Sequence, residues 1–346
     1  MRISDKIIGE NQPVFIIAEL SANHARNFKV ALQTIKAAKD AGADAIKLQT
    51  YKPDSITLNV DNELFRLKKG SLHYGKTLYQ VYQEAYTPWE WQPKLKEVAE
   101  DLGLICFSSP FDTAAVDYLE AMRVPAYKVA SLEITDIPLI EYIASKGKPI
   151  LISTGIATIA EIKEAIKVCK QKGNDQLALL KCTSAYPTPF NEVNLKAIPY
   201  LADTFHTVIG LSDHTLGISV PIAAVALGAR IIEKHFILDR NLGGVDSKFS
   251  LEPKEFKDMV EAIRQVELAL GEREYTLSNI AKKSRDYRRS LFVVKDIQKG
   301  GKLTSDNVRS IRPGDGLPPK YFNEILGKKA NNFIPKGTPL DWDLIK

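Results

Sequence analysis

Gly210-Leu211-Ser212-Asp213-His214 and Ile231-Ile232-Glu233-Lys234-His235 are two short runs that begin apolar, turn polar and end in a histidine. The stretch between them holds an apolar run, Ile218 to Ala229, broken by Pro221 and Gly228 and shorter than a membrane span; it reads as a buried helix leading into the next strand. Strand, helix and strand in that order make a parallel pair, so both imidazoles stand at the same end of successive buried strands. Neutral imidazole is the commonest protein metal ligand. Two histidines are too few for a structural zinc site but suit a catalytic ion that keeps positions for water and substrate. The plainer alternative is that each histidine only caps its strand by hydrogen bonding.

Six comparable segments lie upstream, giving eight in all: Val14–Glu19, Ala45–Gln49, Leu104–Ser108, Ala126–Ala130, Pro149–Ser153, Leu177–Cys182, Thr207–Leu211 and Arg230–His235. Amphipathic stretches separate them. Phe28 to Ala41 carries Val30, Ile35 and Ala38 at helical spacing. Thr87-Pro88-Trp89-Glu90 offers an N-cap, a proline at the first helical position and a capping-box glutamate for a helix to Leu102. Thr158 and Glu161 offer a second capping box for a helix ending near Gly173. Strand–helix alternation predicts a parallel sheet, and eight strands predict closure into an α/β (β/α)8 TIM barrel, with the open doubly wound sheet as the alternative.

A barrel builds its site from the carboxyl ends of its strands and the loops that follow. Those ends hold Glu19; Lys47 and Gln49; Ser108 and Ser109; Lys128, Ser131 and Glu133; Ser153 and Thr154; Thr183 and Tyr186; Ser212 and His214; and His235. Turn chemistry alone accounts for the serines. It does not account for Lys47 and Lys128, two long cationic chains emerging beside Glu19. The segment from Tyr51 to Tyr86, with Leu72-His73-Tyr74-Gly75-Lys76 followed by Leu78, Tyr79 and Tyr82, is too long for an ordinary βα connection and reads as a partly helical lid over the mouth.

Composition narrows the class. The net charge of +5 arises from 47 basic and 42 acidic residues mixed along the chain, without the clustered stripe that nucleic-acid binding needs. A mild positive excess suits an anionic small substrate. Met1 to Val14 lacks the apolar core of a signal peptide, and no run is long enough to span a membrane. Cys106, Cys169 and Cys182 form neither an even framework nor a CxxC, which places the chain in a reduced, cytoplasmic compartment.

Past residue 270 the composition shifts, and the chain divides into a catalytic domain at 1–270, a charged linker at 271–289 and a small domain at 290–346. The small domain echoes itself: Ile297-Gln298-Lys299-Gly300-Gly301-Lys302-Leu303 matches Ile334-Pro335-Lys336-Gly337-Thr338-Pro339-Leu340. Arg312-Pro313-Gly314 lies between the two copies, in a stiff turn able to present a guanidinium to an anionic or polyhydroxylated ligand.

Taken in order along the chain, Ile16-Ile17-Ala18-Glu19, Asn23-His24, Lys47-Leu48-Gln49-Thr50, Ser109-Pro110-Phe111, Pro125-Ala126-Tyr127-Lys128, Ser153-Thr154-Gly155, Tyr186-Pro187-Thr188-Pro189, Leu211-Ser212-Asp213-His214-Thr215, His235 and Arg312-Pro313-Gly314 resemble the sialic acid synthase family. That resemblance implies a TIM barrel followed by an antifreeze-protein-like (SAF) domain, condensing phosphoenolpyruvate with an acetamido sugar in its open aldehyde form. It implies that Lys47, Ser109, Lys128, Ser131, Ser153 and Ser212 hold phosphoenolpyruvate. It puts Gln49, Phe111, Glu133, Tyr186 and Asp246 on the substrate side with Glu19, the expected base, and a divalent Mn2+ or Mg2+ on His214 and His235. It also implies a domain-swapped homodimer in which Arg312 reaches the partner's barrel. Tyr86-Thr87-Pro88-Trp89-Glu90-Trp91 and Ser184 look like the pseudaminic acid synthase branch, whose acceptor is a 6-deoxy-2,4-diacetamido altrose; N-acetylneuraminic and legionaminic acid synthesis are the alternatives within the family. Outside it stand a Schiff-base aldolase working through Lys47, Lys128 or Lys181, and a non-catalytic sugar-binding barrel.

Overall fold

The computed structural model describes residues 1–69, 73–271 and 274–346; Leu72 of the expected lid and Glu272 and Arg273 of the expected linker lie outside the described residues. Two compact units divide the chain, Met1–Gly271 and Glu272–Lys346.

In the first unit, eight strands close into one ring: β1 (Phe15–Glu19), β2 (Ala45–Thr50), β3 (Ile105–Pro110), β4 (Tyr127–Val129), β5 (Ile150–Ser153), β6 (Leu177–Cys182), β7 (Val208–Asp213) and β8 (Ile231–His235). Every pairing is parallel, and β8 closes the ring between β7 and β1. The doubly wound alternative is thereby excluded. Helices fill the crossovers, among them Phe28–Asp40, Ile159–Gln171 and Ser219–Ala226, and Pro253–Leu270 follows the last strand.

Alternation along the strands sorts side chains into two layers. One set, including Ile16, Ile46, Tyr127, Ile152, Leu179, Leu211 and Ile232, packs outward beneath the helices. The other fills the barrel: Phe15 and Ile17 on β1, Ala45 on β2, Ile105 and Phe107 on β3, Leu151 on β5, Ala178 and Leu180 on β6, and Ile231 on β8. Ile3 and Ile8, from the N-terminal hairpin of Arg2–Ile3 with Lys6–Ile7, join that inner cluster at the strands' amino ends. Gly210 shares the inner face because nothing larger fits: a Cβ there would lie 2.6 Å from both the Ile231 carbonyl oxygen and Leu180 Cδ2.

The local signals met different fates. Thr158 and Glu161 form their capping box. Thr87 and Glu90 do not: Pro88 is extended, a 3-10 turn spans Trp89–Trp91, and the α-helix starts only at Gln92. Aromatic packing prevails there. The Trp89 ring lies 4.6 Å from that of Tyr118 and its indole donates to the Tyr51 carbonyl (3.0 Å), while Trp91 packs against Phe28 and His24. The long insert is partly helical, over Pro53–Ile56 and Leu78–Ala85, the second helix capped by Thr77 and Gln80.

In the second unit, β9 (Ser290–Val293) pairs antiparallel with β10 (Val308–Ile311) over a core containing Leu291, Leu303, Ile334 and Leu340. The repeated heptapeptides meet, Ile297 bridging Ile334, and each turns on a left-handed glycine, Gly300 or Gly337. A short helix, Asn279–Ser284, precedes this sheet.

Candidate active site

The inner column of each strand, continued by steps of two toward its carboxyl end, passes from apolar to polar. Phe15 and Ile17 lead to Glu19, Ala45 to Lys47 and Gln49, Phe107 to Ser109, Ala126 to Lys128, Leu151 to Ser153, Leu180 to Cys182, Gly210 to Ser212, and Ile231 to Glu233 and His235. The barrel core thus ends in a polar floor, nearly all of it buried. Lys181 steps with Leu179 on the outer face and donates to the Cys182 carbonyl (2.7 Å) and the Thr183 hydroxyl (2.8 Å), which takes it out of this column.

Lys47 is the hub of one half of the floor. Its ammonium lies 2.5 Å from Glu19 Oε2 and 3.8 Å from Glu233 Oε2, and donates to Ser109 Oγ (3.3 Å). Gln49 donates to the other Glu19 oxygen (3.1 Å), and Ser212 donates to Glu233 Oε1 (2.8 Å). Burial opposes the Lys47 charge, but the two carboxylates outweigh it and raise its pKa. Burial, joined by the Glu233 charge, pushes Glu19 up to about 7 against the pull of Lys47. Burial works the same way on Glu233, yet Lys47, Lys128 and the Ser212 hydroxyl prevail and hold it down to about 2. Glu233 was not expected from the sequence; the signal was its place two residues before His235 on the same face.

Lys128 differs in kind. It is buried, forms no ion pair among the described residues, and donates to the Val129 carbonyl (2.8 Å). Burial lowers its pKa, outweighing the pull of the Glu233 carboxylate, and the Lys47 charge adds to the lowering. Close by, Ser153 Oγ is buried with no hydrogen-bond partner, and Ser131 accepts from Ser184 (2.7 Å). Gly155 makes room for this pair, since a Cβ there would lie 2.5 Å from Ser184 Oγ and 2.6 Å from Ser131 Oγ. An under-compensated ammonium beside an unsatisfied hydroxyl is a site for an anion.

The histidines stand together as expected. The His214 and His235 rings are 5.2 Å apart, with Phe249 against both and the Tyr186 ring tilted against His214 at 4.4 Å. Burial lowers both to about 3, helped at His214 by His235 and at His235 by Lys47, so both rings are neutral at physiological pH. His214 Nδ1 faces the Thr183 carbonyl at 3.3 Å, which leaves Nε2 as its basic nitrogen. His235 Nδ1 is buried without a hydrogen-bond partner, 3.7 Å from Asp246 Oδ2. Two neutral imidazoles, one bearing an unspent lone pair, fit a divalent ion that takes its other ligands from water and substrate. Among the described residues no cluster of three or more His, Cys, Asp or Glu side chains is arranged to enclose a metal.

Above the floor a cavity of about 250 Å³ is lined by Gln49, Phe111, Ser131, Glu133, Tyr186, His235 and Asp246 together with Tyr51, Ile56, Val81 and Tyr82 of the insert. The insert therefore walls the mouth. Burial pushes Glu133 up to about 7 and leaves its Oε2 unpartnered, and Asp246 accepts from Ser21 Oγ (2.5 Å). Arg312 stands on the other compact unit, exposed, in the turn after β10, where the Arg312–Pro313 bond is cis.

Barrel, cationic floor and histidine pair define an enzyme of the class that works on small anionic substrates at the carboxyl end of a TIM barrel. The chain belongs to the NeuB family, whose profile matches residues 34–275, followed by a SAF domain over 288–346. It is 50% identical over 330 residues to a pseudaminic acid synthase of Campylobacter jejuni, covering 95% of this chain and 96% of that one. A pseudaminic acid synthase of Helicobacter pylori is 48% identical over 336 residues, covering 97% and 98%. Among solved structures, an N-acetylneuraminic acid synthetase from Leptospira borgpetersenii matches with a TM-score of 0.74 at 33% identity, covering 82% of this chain and 94% of that one.

Proposed function

We propose that the chain is a pseudaminic acid synthase, joining phosphoenolpyruvate to 2,4-diacetamido-2,4,6-trideoxy-altrose to give a nonulosonic acid and phosphate. The observation that carries the reading is the buried floor of Lys47, Lys128 and hydroxyls on a chain half identical, over nearly its full length, to enzymes of that name. Lys128, Ser153, Ser131, Ser109 and Ser212 hold the phosphate and carboxylate, with Lys47 countering their charge. Gln49, Phe111, Glu133, Tyr186 and Asp246 receive the sugar. His214 and His235 would hold manganese or magnesium, which when bound supplies Lewis acidity toward the sugar aldehyde.

The enol carbon C3 attacks the aldehyde carbon, forming the new C–C bond and leaving an alkoxide, which is finally neutralised by the proton that Glu19 takes from water. Positive charge left at C2 is captured by water, whose proton passes to Glu19. That carboxylate, lifted to about 7, exchanges protons near neutrality and is fixed by Lys47 and Gln49. The C2–O bond to phosphate then breaks, phosphate leaves with the electron pair and takes the remaining proton of the C2 hydroxyl, and the ketone forms. Lys47 and Lys128 neutralise the charge that accumulates on the departing group.

The catalytic domain is taken as 1–270, the linker as 271–289 and the SAF domain as 290–346. Exposed Leu132, Ile156, Phe190, Leu216 and Leu242 follow β4 to β8 around the mouth, an apolar rim that a second copy would cover; Arg312 of that copy would complete the site. No helix among the described residues is long and apolar enough to cross a membrane. A cytoplasmic reaction is supported by phosphoenolpyruvate as co-substrate.

The test is phosphate release from phosphoenolpyruvate with manganese and a panel of acetamido hexoses. Turnover with the 6-deoxy-diacetamido altrose supports the assignment. Turnover only with N-acetylmannosamine or its diacetamido counterpart moves the chain to another branch. Borohydride-trapped lysine adducts with a keto acid, without phosphate release, would establish the Schiff-base aldolase instead.

A further inference from the structure

β7 and β8 are pinned together on both faces just before the histidines. In register, Ser212 faces Glu233 and Asp213 faces Lys234. The first pair closes inside the barrel. The second closes outside it, on the helix side, where Lys234 Nζ lies 2.5 Å from Asp213 Oδ2 and also donates to the Thr215 carbonyl. Asp213 further accepts from the Thr215 backbone N–H (3.1 Å) and hydroxyl (3.0 Å). The Lys234 and Asp213 side chains are 0% and 2% exposed. One ammonium thus grips the residues on both sides of His214, from a strand whose next residue is His235.

A buried ion pair is a poor source of stability, because the cost of stripping water from two charges consumes most of its attraction; apolar residues of similar volume often do as well. Lys234 and Asp213 both point away from the mouth, and among the described residues their side chains bond only to each other and to Thr215, so they do not contact substrate. What the pair does supply is a rigid, directional tie between the two histidine-bearing strand ends.

We propose that Lys234 is a positioning residue: through Asp213 and the Thr215 carbonyl it sets the separation and orientation of His214 and His235, and so the affinity of the divalent ion. This rests on the reading that those histidines hold the ion. Groups that orient ligands from behind are worth roughly 10- to 100-fold in metal affinity.

The experiment is manganese titration of the full chain, followed by the electron paramagnetic resonance of free Mn2+, for wild type, Lys234→Met, Asp213→Asn and His214→Ala. Phosphoenolpyruvate KM is measured at saturating manganese. Lys234→Met should weaken manganese about 10- to 100-fold, and Asp213→Asn, which keeps an acceptor in place, should weaken it less. The KM for phosphoenolpyruvate should stay within about twofold, and excess metal should restore turnover. Manganese affinity unchanged in a folded Lys234→Met overturns the proposal. Where Lys234→Met fails to fold, Asp213→Asn decides, wild-type affinity again overturning it. His214→Ala separates the two layers of argument: if it binds manganese normally, the histidine assignment itself has failed, whereas its loss beside a normal Lys234→Met rejects only the role given to Lys234.

Discussion

Lys47 and Lys128 stand on inner columns of the same barrel, on β2 and β4 with β3 between them, yet their replacement by methionine should have very unequal consequences for stability. Lys47 offsets two buried carboxylates, at 2.5 Å and 3.8 Å. Removing it strands them, and breaking a buried pair from one side costs about 3–5 kcal/mol. Lys128 forms no ion pair among the described residues; its removal forfeits the bond to the Val129 carbonyl, worth about 1 kcal/mol, and some attraction for Glu233, which Lys47 still faces at 3.8 Å, while a charge costly to bury disappears. Lys128→Met should therefore stay within about 1 kcal/mol of wild type. Binding should follow the reverse logic. An ammonium awaiting an anion contributes to the complex what it does not contribute to the fold: losing a buried charge contact costs about 2–5 kcal/mol, roughly 30-fold to several thousandfold in phosphoenolpyruvate affinity. Urea unfolding supplies the first quantity and calorimetric titration with phosphoenolpyruvate the second. Equal destabilisation by the two substitutions, or normal phosphoenolpyruvate binding by Lys128→Met, would refute the division of labour.

Glu19→Gln should abolish turnover while phosphoenolpyruvate still binds, measured by single-turnover phosphate release beside calorimetry; near-normal turnover would remove Glu19 from proton transfer. Because Glu19 is lifted to about 7 and acts deprotonated, kcat should climb as pH rises through about 7 and flatten above it, a limb visible in a pH profile from 5 to 9. Chelation should stop the reaction until manganese is restored, and His214→Ala should raise the manganese requirement, both followed by phosphate release at graded metal. Gly210→Ala forces a methyl group to within 2.6 Å of backbone and Leu180, so it should destabilise the barrel by about 1–3 kcal/mol or more in urea unfolding.

Much of the barrel was legible because each strand is short, rich in apolar residues and closed by turn residues, so all eight could be placed to within a few residues. The site was legible for the same reason in a second form: once the strands are aligned, a step of two from the apolar core lands on Glu19, Lys47, Lys128, Ser153 and His235. Glu233 obeys that step and was passed over because attention rested on the histidine beyond it. Other features have no local signature. Gly155 is required by Ser131 and Ser184, which come from two other βα loops, and Asp213 meets Lys234 only through strand register. Thr87 had every local mark of an N-cap, yet the Trp89 ring found Tyr118 and the Tyr51 carbonyl and drew the chain into a 3-10 turn. Capping is worth about 1 kcal/mol, and a half-buried aromatic pair with a satisfied indole outweighs it here.

The most direct test of water capture at C2 uses phosphoenolpyruvate carrying 18O in the bridging C–O–P position. With the 6-deoxy-diacetamido altrose and manganese, the label should leave with phosphate, and the new ketone oxygen should come from solvent. Label retained in the sugar acid would mean cleavage at phosphorus, and would contradict the role given to Glu19 and the floor around it.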